Sequence, residues 1–98
     1  MVNKVYISGR ITGMEVSAPI LFQSAEDYLI SKGFEPVNPM KLNHDHDKTW
    51  QSYMKHDIKA LCDCDIIYML NNWGESKGAI IEHEIASSLG MGIIYQKK

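Results

Sequence analysis

Two carboxylates stand where an apolar residue would serve folding better. Glu82 shares one helix face with Ile85, Ala86 and Leu89, which follow it at the helical spacings i+3, i+4 and i+7. That face must pack on another layer, and an unpaired buried carboxylate is costly. The Glu82 carboxyl therefore belongs in a cleft or at its lip, unless it is a first-turn glutamate complementing the helix dipole. Asp57 repeats the pattern, at i+3 from Met54 and i−4 from Leu61. Its plainer reading is a solvated aspartate paired with a nearby lysine. Two carboxyl groups brought to one cleft can act as a nucleophile and a general acid.

Other residues could serve the same chemistry. Tyr6 sits inside a strand-like run, near its carboxyl end, where its hydroxyl could orient a carboxylate or simply be satisfied within the core. Ser8, Gly9 and Arg10 follow in a segment that ends in a short glycine-flanked loop, Gly9 to Gly13. Ser76 can cap a helix, and the backbone N–H groups that follow, with Gly78 allowing close approach, can hold an anion. Trp73 precedes them in a loop where a base could stack. His44, Asp45, His46 and Asp47 alternate along a loop and lack the i, i+4 helical spacing of a metal-binding histidine pair. They read as a solvated loop, and no metal site is expected.

The elements that must position these residues are legible. Val5–Ile7, Phe34–Val37, Asp65–Leu70 and Gly92–Tyr95 read as strands. Helices fall between them. The first is capped by Ser17, shows Leu21, Ala25, Tyr28 and Leu29 on one face, and stops at Gly33. The second runs from about Thr49 to Leu61 with Trp50, Met54, Ile58 and Leu61 on one side, and the third from Gly78 to Leu89. The near-continuous apolar run 65–70 suits a parallel strand buried on both faces. The β-α-β-α-β-α-β order predicts an α/β, flavodoxin- or Rossmann-like three-layer sandwich with a short parallel sheet in the order 2-1-3-4. Ligands in such sheets bind outside the strand carboxyl ends, at the switch point.

The whole chain, 1–98, is read as a single domain. Its net charge of −2 and the absence of any basic cluster beyond Lys97-Lys98 argue against a duplex nucleic acid partner. No apolar run approaches a membrane span, and none near Met1 resembles a leader segment. Cys62 and Cys64, one residue apart, read as reduced thiols. A cytoplasmic protein is expected.

The segments Lys4–Gly9, Tyr53–Asp57, Cys64–Ile67 and Trp73–Glu82, with Ala86 and Gly90, cover nearly the whole chain in order. In this pattern the chain resembles the nucleoside 2-deoxyribosyltransferase superfamily, and within it a short bacterial and phage branch. The Ser76-x-Gly78-Ala79-x-x-Glu82 block is its most specific part. The resemblance implies Glu82 as nucleophile on the anomeric carbon, Tyr6 as its orienter and Asp57 as acid/base near the nucleobase. The transferases carry an aspartate at the position of Ser76. A serine there resembles the deoxynucleoside 5′-monophosphate N-glycosidases, where the hydroxyl helps hold phosphate. A phosphate-binding arginine of that group aligns with Thr12, and Arg10 lies two residues earlier. The carboxyl-terminal part that completes a neighbouring subunit's site in the superfamily lies beyond the pattern found here.

The implied activity is cleavage, by hydrolysis or transfer, of the N-glycosidic bond of deoxynucleosides or their 5′-monophosphates. Tyr6, Asp57 and Glu82 would be catalytic, and Ser8, Gly9, Arg10, Trp73, Ser76 and Gly78 would contact substrate. No cofactor is expected, and a homodimer or larger homo-oligomer is. The alternatives are an inactive nucleotide-binding module, or an interaction protein whose carboxylates are capped and satisfied.

Overall fold

The structure, a computed structural model, describes residues 2–97. Four strands, β1 (Lys4–Ser8), β2 (Glu35–Val37), β3 (Ile66–Met69) and β4 (Gly92–Tyr95), form one sheet in the order β2-β1-β3-β4. Every pairing is parallel. The connections are α1 (Ala18–Ser31), α2 (Trp50–Cys62) and α3 (Lys77–Ser88), with short 3-10 turns at Pro39–Lys41 and Trp73–Glu75.

Strand periodicity divides the core in two. Successive side chains of a strand point to opposite faces. Val5 and Ile7 of β1 and Tyr68 of β3 therefore meet α1 on one face. Tyr6, Ile67 and Met69 meet Leu61 of α2 and Ala79 and Ala86 of α3 on the other. The apolar run in β3 is thus used on both sides, as expected of a central parallel strand.

All three helix faces differ in part from the sequence reading. On α2 the buried residues are Met54, Asp57 and Leu61, whereas Trp50 is exposed and Ile58 half-buried. The buried stripe of α1 is Ala18, Phe22, Ala25 and Leu29, whereas Leu21 and Tyr28 are 37% and 47% exposed. The stripe lies one position round the helix because the alanines let α1 settle close to the sheet. Tyr28 is left at the margin, its ring centroid 5.9 Å from that of Tyr68. Ser17 precedes α1 without a capping side-chain bond. At the end of α3, Leu89 is exposed, and the buried residues are Ala79, Glu82 and Ala86. Gly33 ends α1 with φ +84°, the left-handed conformation that glycine takes most readily.

The carboxyl ends of β1 and β3 lie side by side, with Ser8 opposite Met69, and the chain leaves them in opposite directions across the sheet. This is the switch point. Gly9, just past β1, is required here by space. A Cβ at that position would lie 2.6 Å from Leu70 Cδ1 and 2.9 Å from Leu70 Cβ, and Leu70 is buried. Gly9→Ala is expected to destabilise the fold by about 1–3 kcal/mol through overpacking, read as a lower midpoint in urea unfolding.

Candidate active site

The two-residue period of β1 sets a clamp. Tyr6 and Ser8 point to the same face, and both reach Glu82. The Tyr6 hydroxyl donates to Glu82 Oε2 at 2.7 Å, and the Ser8 hydroxyl donates to Oε1 at 2.7 Å. Ala79 and Ala86, which flank Glu82 on the buried stripe of α3, bring the helix near enough for these contacts. Glu82 is only 5% exposed. Each carboxylate oxygen thus holds one protein donor, and the group still lines a cavity.

Burial pushes the Glu82 carboxyl up to about 7; the Tyr6 and Ser8 hydrogen bonds oppose the rise and the nearby Asp57 adds to it. Burial, and then the Glu82 charge, hold the Tyr6 phenol well above its ordinary value, so it remains a donor.

Asp57 occupies the middle of the buried stripe of α2, between Met54 and Leu61. Its Oδ1 has no hydrogen-bond partner, and among the described residues it is the one buried side-chain polar atom left so. The nearest base is His44, whose Nε2 lies 3.9 Å from Oδ1, beyond hydrogen-bond reach. Burial pushes the Asp57 carboxyl up to about 7. A carboxyl group in this setting can hold a proton near neutrality and release it to a substrate.

The cavity measures roughly 920 Å3 and opens at the carboxyl ends of β1 and β3. Tyr6, Gly9, Arg10, Asp57, Ser76, Gly78 and Glu82 all line it, so seven of the nine expected residues converge from three separate segments. Ser76 caps α3 by accepting the Ala79 N–H at 3.1 Å, which leaves its own hydroxyl proton free to donate. The Arg10 guanidinium folds back on its loop, where Nε donates to the Thr12 carbonyl at 3.2 Å. Lys48 and Lys77 also line the cavity, giving it three cationic side chains with Arg10, alongside Glu15 and Glu75. The Lys77 ammonium sits 4.7 Å from the Trp50 ring centroid.

Two expected substrate contacts are placed elsewhere. Ser8 is 1% exposed and stands behind Glu82, so it orients the carboxylate instead of facing the cavity. Trp73 turns away and stacks on His83, with ring centroids 4.3 Å apart. It is held there by α3 and by Tyr95 of β4, whose ring lies 6.1 Å from it. Sequence reasoning also missed His44, Lys48, Tyr53 and Lys77, which line the cavity. The helical offset of Tyr53 from Asp57, one turn apart on α2, was the available signal. Cys62 and Cys64 are free thiols. No helix among the described residues is long and apolar enough to cross a membrane.

The parallel 2-1-3-4 sheet with its three helices is an α/β fold, and its switch point carries a glutamate held by two hydroxyls. In keeping with that fold, the chain is similar to the solved structure of a 2-desoxiribosyltransferase from Leishmania mexicana, with a TM-score of 0.72 at 15% sequence identity. The match covers 95% of this chain and 63% of the transferase, so the chain spans less than two thirds of that enzyme's length. Residues 3–95 match the family described as Domain of unknown function (DUF4406), and the chain belongs to that family. No curated protein matches the sequence.

Proposed function

We propose that this protein cleaves the N-glycosidic bond of deoxynucleosides or their 5′-monophosphates, with Glu82 as the nucleophile. The observation that carries the reading is the buried Glu82 carboxylate, fixed by the Tyr6 and Ser8 hydroxyls and open to a cavity it shares with Asp57.

In the first step a Glu82 oxygen attacks C1′ as the C1′–N bond breaks through an oxocarbenium-like transition state. The bonding electron pair leaves with the base, and Asp57 supplies a proton to it. In the second step water or another base attacks C1′ and gives up a proton to the Asp57 carboxylate, the C1′–O bond to Glu82 breaks with its electron pair going to the Glu82 oxygen, and both carboxyl groups return to their starting states. Water gives hydrolysis and a second base gives transfer. Tyr6 and Ser8 keep the carboxylate pointed at the reacting carbon without a reorganisation step.

Arg10, Lys48 and Lys77 around the cavity, with the Ser76 hydroxyl and the first N–H groups of α3, favour a 5′-phosphate over an unphosphorylated sugar. Aspartate caps helices as well as serine does, so Ser76→Asp is expected to keep the fold. Its charge would repel a phosphate. The ratio of kcat/KM for a deoxynucleoside monophosphate over its deoxynucleoside is expected to fall about 10- to 100-fold, equivalent to ~1.4–2.8 kcal/mol. An unchanged ratio would remove phosphate from this position.

The reading is tested by incubating purified protein with deoxynucleosides and their monophosphates, with and without a second free base, and following base release by chromatography. Release that depends on Glu82 supports the proposal. A folded protein that binds these compounds and releases no base from any of them rejects it in favour of an inactive binding module.

A further inference from the structure

The loop before α2 carries a cluster of nitrogen ligands that glycosidic chemistry does not use. His44 and His46 of the loop meet His56 of α2, with one ring nitrogen from each lying within 4.8 Å of the other two. The ring centroids of His44 and His46 are 4.7 Å and 5.3 Å from that of His56. The alternating loop spacing does not show this, because the third histidine comes from α2.

The hydrogen-bond inventory of the rings is more informative than their proximity. His44 Nε2 faces the Pro39 carbonyl oxygen at 2.9 Å, and His46 Nδ1 faces the Asp47 carbonyl oxygen at 2.5 Å. A carbonyl oxygen only accepts, so both of these nitrogens must carry the ring proton. The remaining nitrogens, His44 Nδ1 and His46 Nε2, face each other across 2.8 Å, so with both rings neutral two lone pairs meet there. Such a contact is satisfied by a cation, either one further proton held between the rings or a metal ion beside them. Metal-binding histidines use the same arrangement, with the outer N–H fixed on a carbonyl and the inner lone pair turned to the ion. The Tyr53 ring supports both imidazoles, with centroids at 4.9 Å and 4.7 Å. Tyr53 lies one turn before His56 on α2.

We propose that His44, His46 and His56 form a binding site for a divalent ion of the zinc class, with a fourth position open to water. Three neutral imidazoles suit zinc, copper and nickel better than magnesium or calcium, which require oxygen ligands. Ligand nitrogens about 2.0–2.1 Å from zinc in a tetrahedral site stand roughly 3.3 Å apart. The 2.8 Å pair must therefore open slightly and His56 close in, which rotation of half-buried rings permits. The ion would tie the 44–47 loop to α2 and so fix one wall of the cavity, which His44 lines. Asp57 approaches the other nitrogen of His44, so the ion site and that carboxyl group are separate.

The test uses tag-free, chelator-treated full-length protein, titrated with zinc by calorimetry and with cobalt by visible absorption. One equivalent of zinc is expected to bind with micromolar affinity or better. Cobalt is expected to give the intense visible bands of a four- or five-coordinate ion, and zinc to raise the Tm. His56→Ala and His46→Ala, each checked for folding by circular dichroism, are expected to weaken zinc binding at least 30-fold and to remove the cobalt bands. His83→Ala, outside the cluster, is expected to leave both unchanged. No binding by wild type, or binding that survives both cluster substitutions, would overturn the proposal. The readout is the metal itself, so failure here leaves the glycosidic reading untouched, and the converse holds.

Discussion

Glu82→Gln is expected to lower base release at least 1,000-fold while leaving a folded and, at neutral pH, more stable protein. The amide keeps the shape of the carboxylate, and its oxygen can accept one hydroxyl. Its NH2 can donate to the other, since both Tyr6 and Ser8 hydroxyls accept as well as donate. What is lost is the negative charge that stabilises and traps the developing cation, and a nucleophile's removal costs rate factors of this order or more. The stability gain follows from the raised carboxyl group. Glu82 sits near 7 in the fold, against an ordinary 4.5. Between those values the folded protein binds more protons than the unfolded chain. Stability is therefore full below about pH 4.5 and is lost as pH rises through 7, by about 3 kcal/mol in total for this group. Glutamine removes that dependence. Urea unfolding at pH 5 and pH 8 is expected to show a smaller fall for the variant. Some fall persists, because Asp57 is displaced in the same direction. Equal falls in both proteins would mean that Glu82 is not held in a charge-averse site. A functional carboxylate kept at the expense of stability is a common trade in active sites.

Asp57→Asn is expected to reduce cleavage of ordinary deoxynucleosides and monophosphates about 100- to 10,000-fold, the usual range for loss of a general acid. The loss depends on the leaving group. A substrate whose aglycone departs without protonation, such as a deoxyribosyl nitrophenolate, is expected to lose less than 10-fold. The paired assay separates proton donation from packing, since a collapsed cavity would slow both substrates alike. Asparagine is close in volume and uncharged, so it suits the apolar stripe between Met54 and Leu61. Equal losses on the two substrates would take Asp57 out of the acid role.

The sheet could be read from the sequence because its strands are marked locally. The β-branched and aromatic runs around Tyr6, Ile67 and Ile94 need no distant information, the alternation of elements makes the sheet parallel, and the order 2-1-3-4 is that of flavodoxin-like folds. Glu82 and Asp57 stood out because a charge within an apolar stripe conflicts with its own surroundings. Other features leave no such mark. The partner of Ser8 lies 74 residues away, and nothing in its neighbourhood indicates it. Which way Trp73 points in its short turn depends on α3 and β4. On α1, bulky Leu21 and Tyr28 outweighed the alanines, although close helix-to-sheet contact favours small residues. The proximity of His44, His46 and His56 is likewise invisible to loop spacing, which shows only two of the three. Contacts made within an element leave a periodic trace, and contacts made between elements do not.

The central claim, that Glu82 becomes bonded to the sugar, is tested most directly by trapping. A 2′-fluoro-2′-deoxyarabinosyl nucleoside or monophosphate slows both steps, because the fluorine destabilises the cationic transition state. The second step can then lag behind the first. Intact-mass spectrometry after incubation is expected to show a gain of one fluorinated sugar, with or without phosphate, together with stoichiometric free base. Peptide mapping is expected to place it on Glu82, and Glu82→Gln to show no gain. Free base released without any adduct in wild type, or an adduct that maps to another residue, would contradict the account.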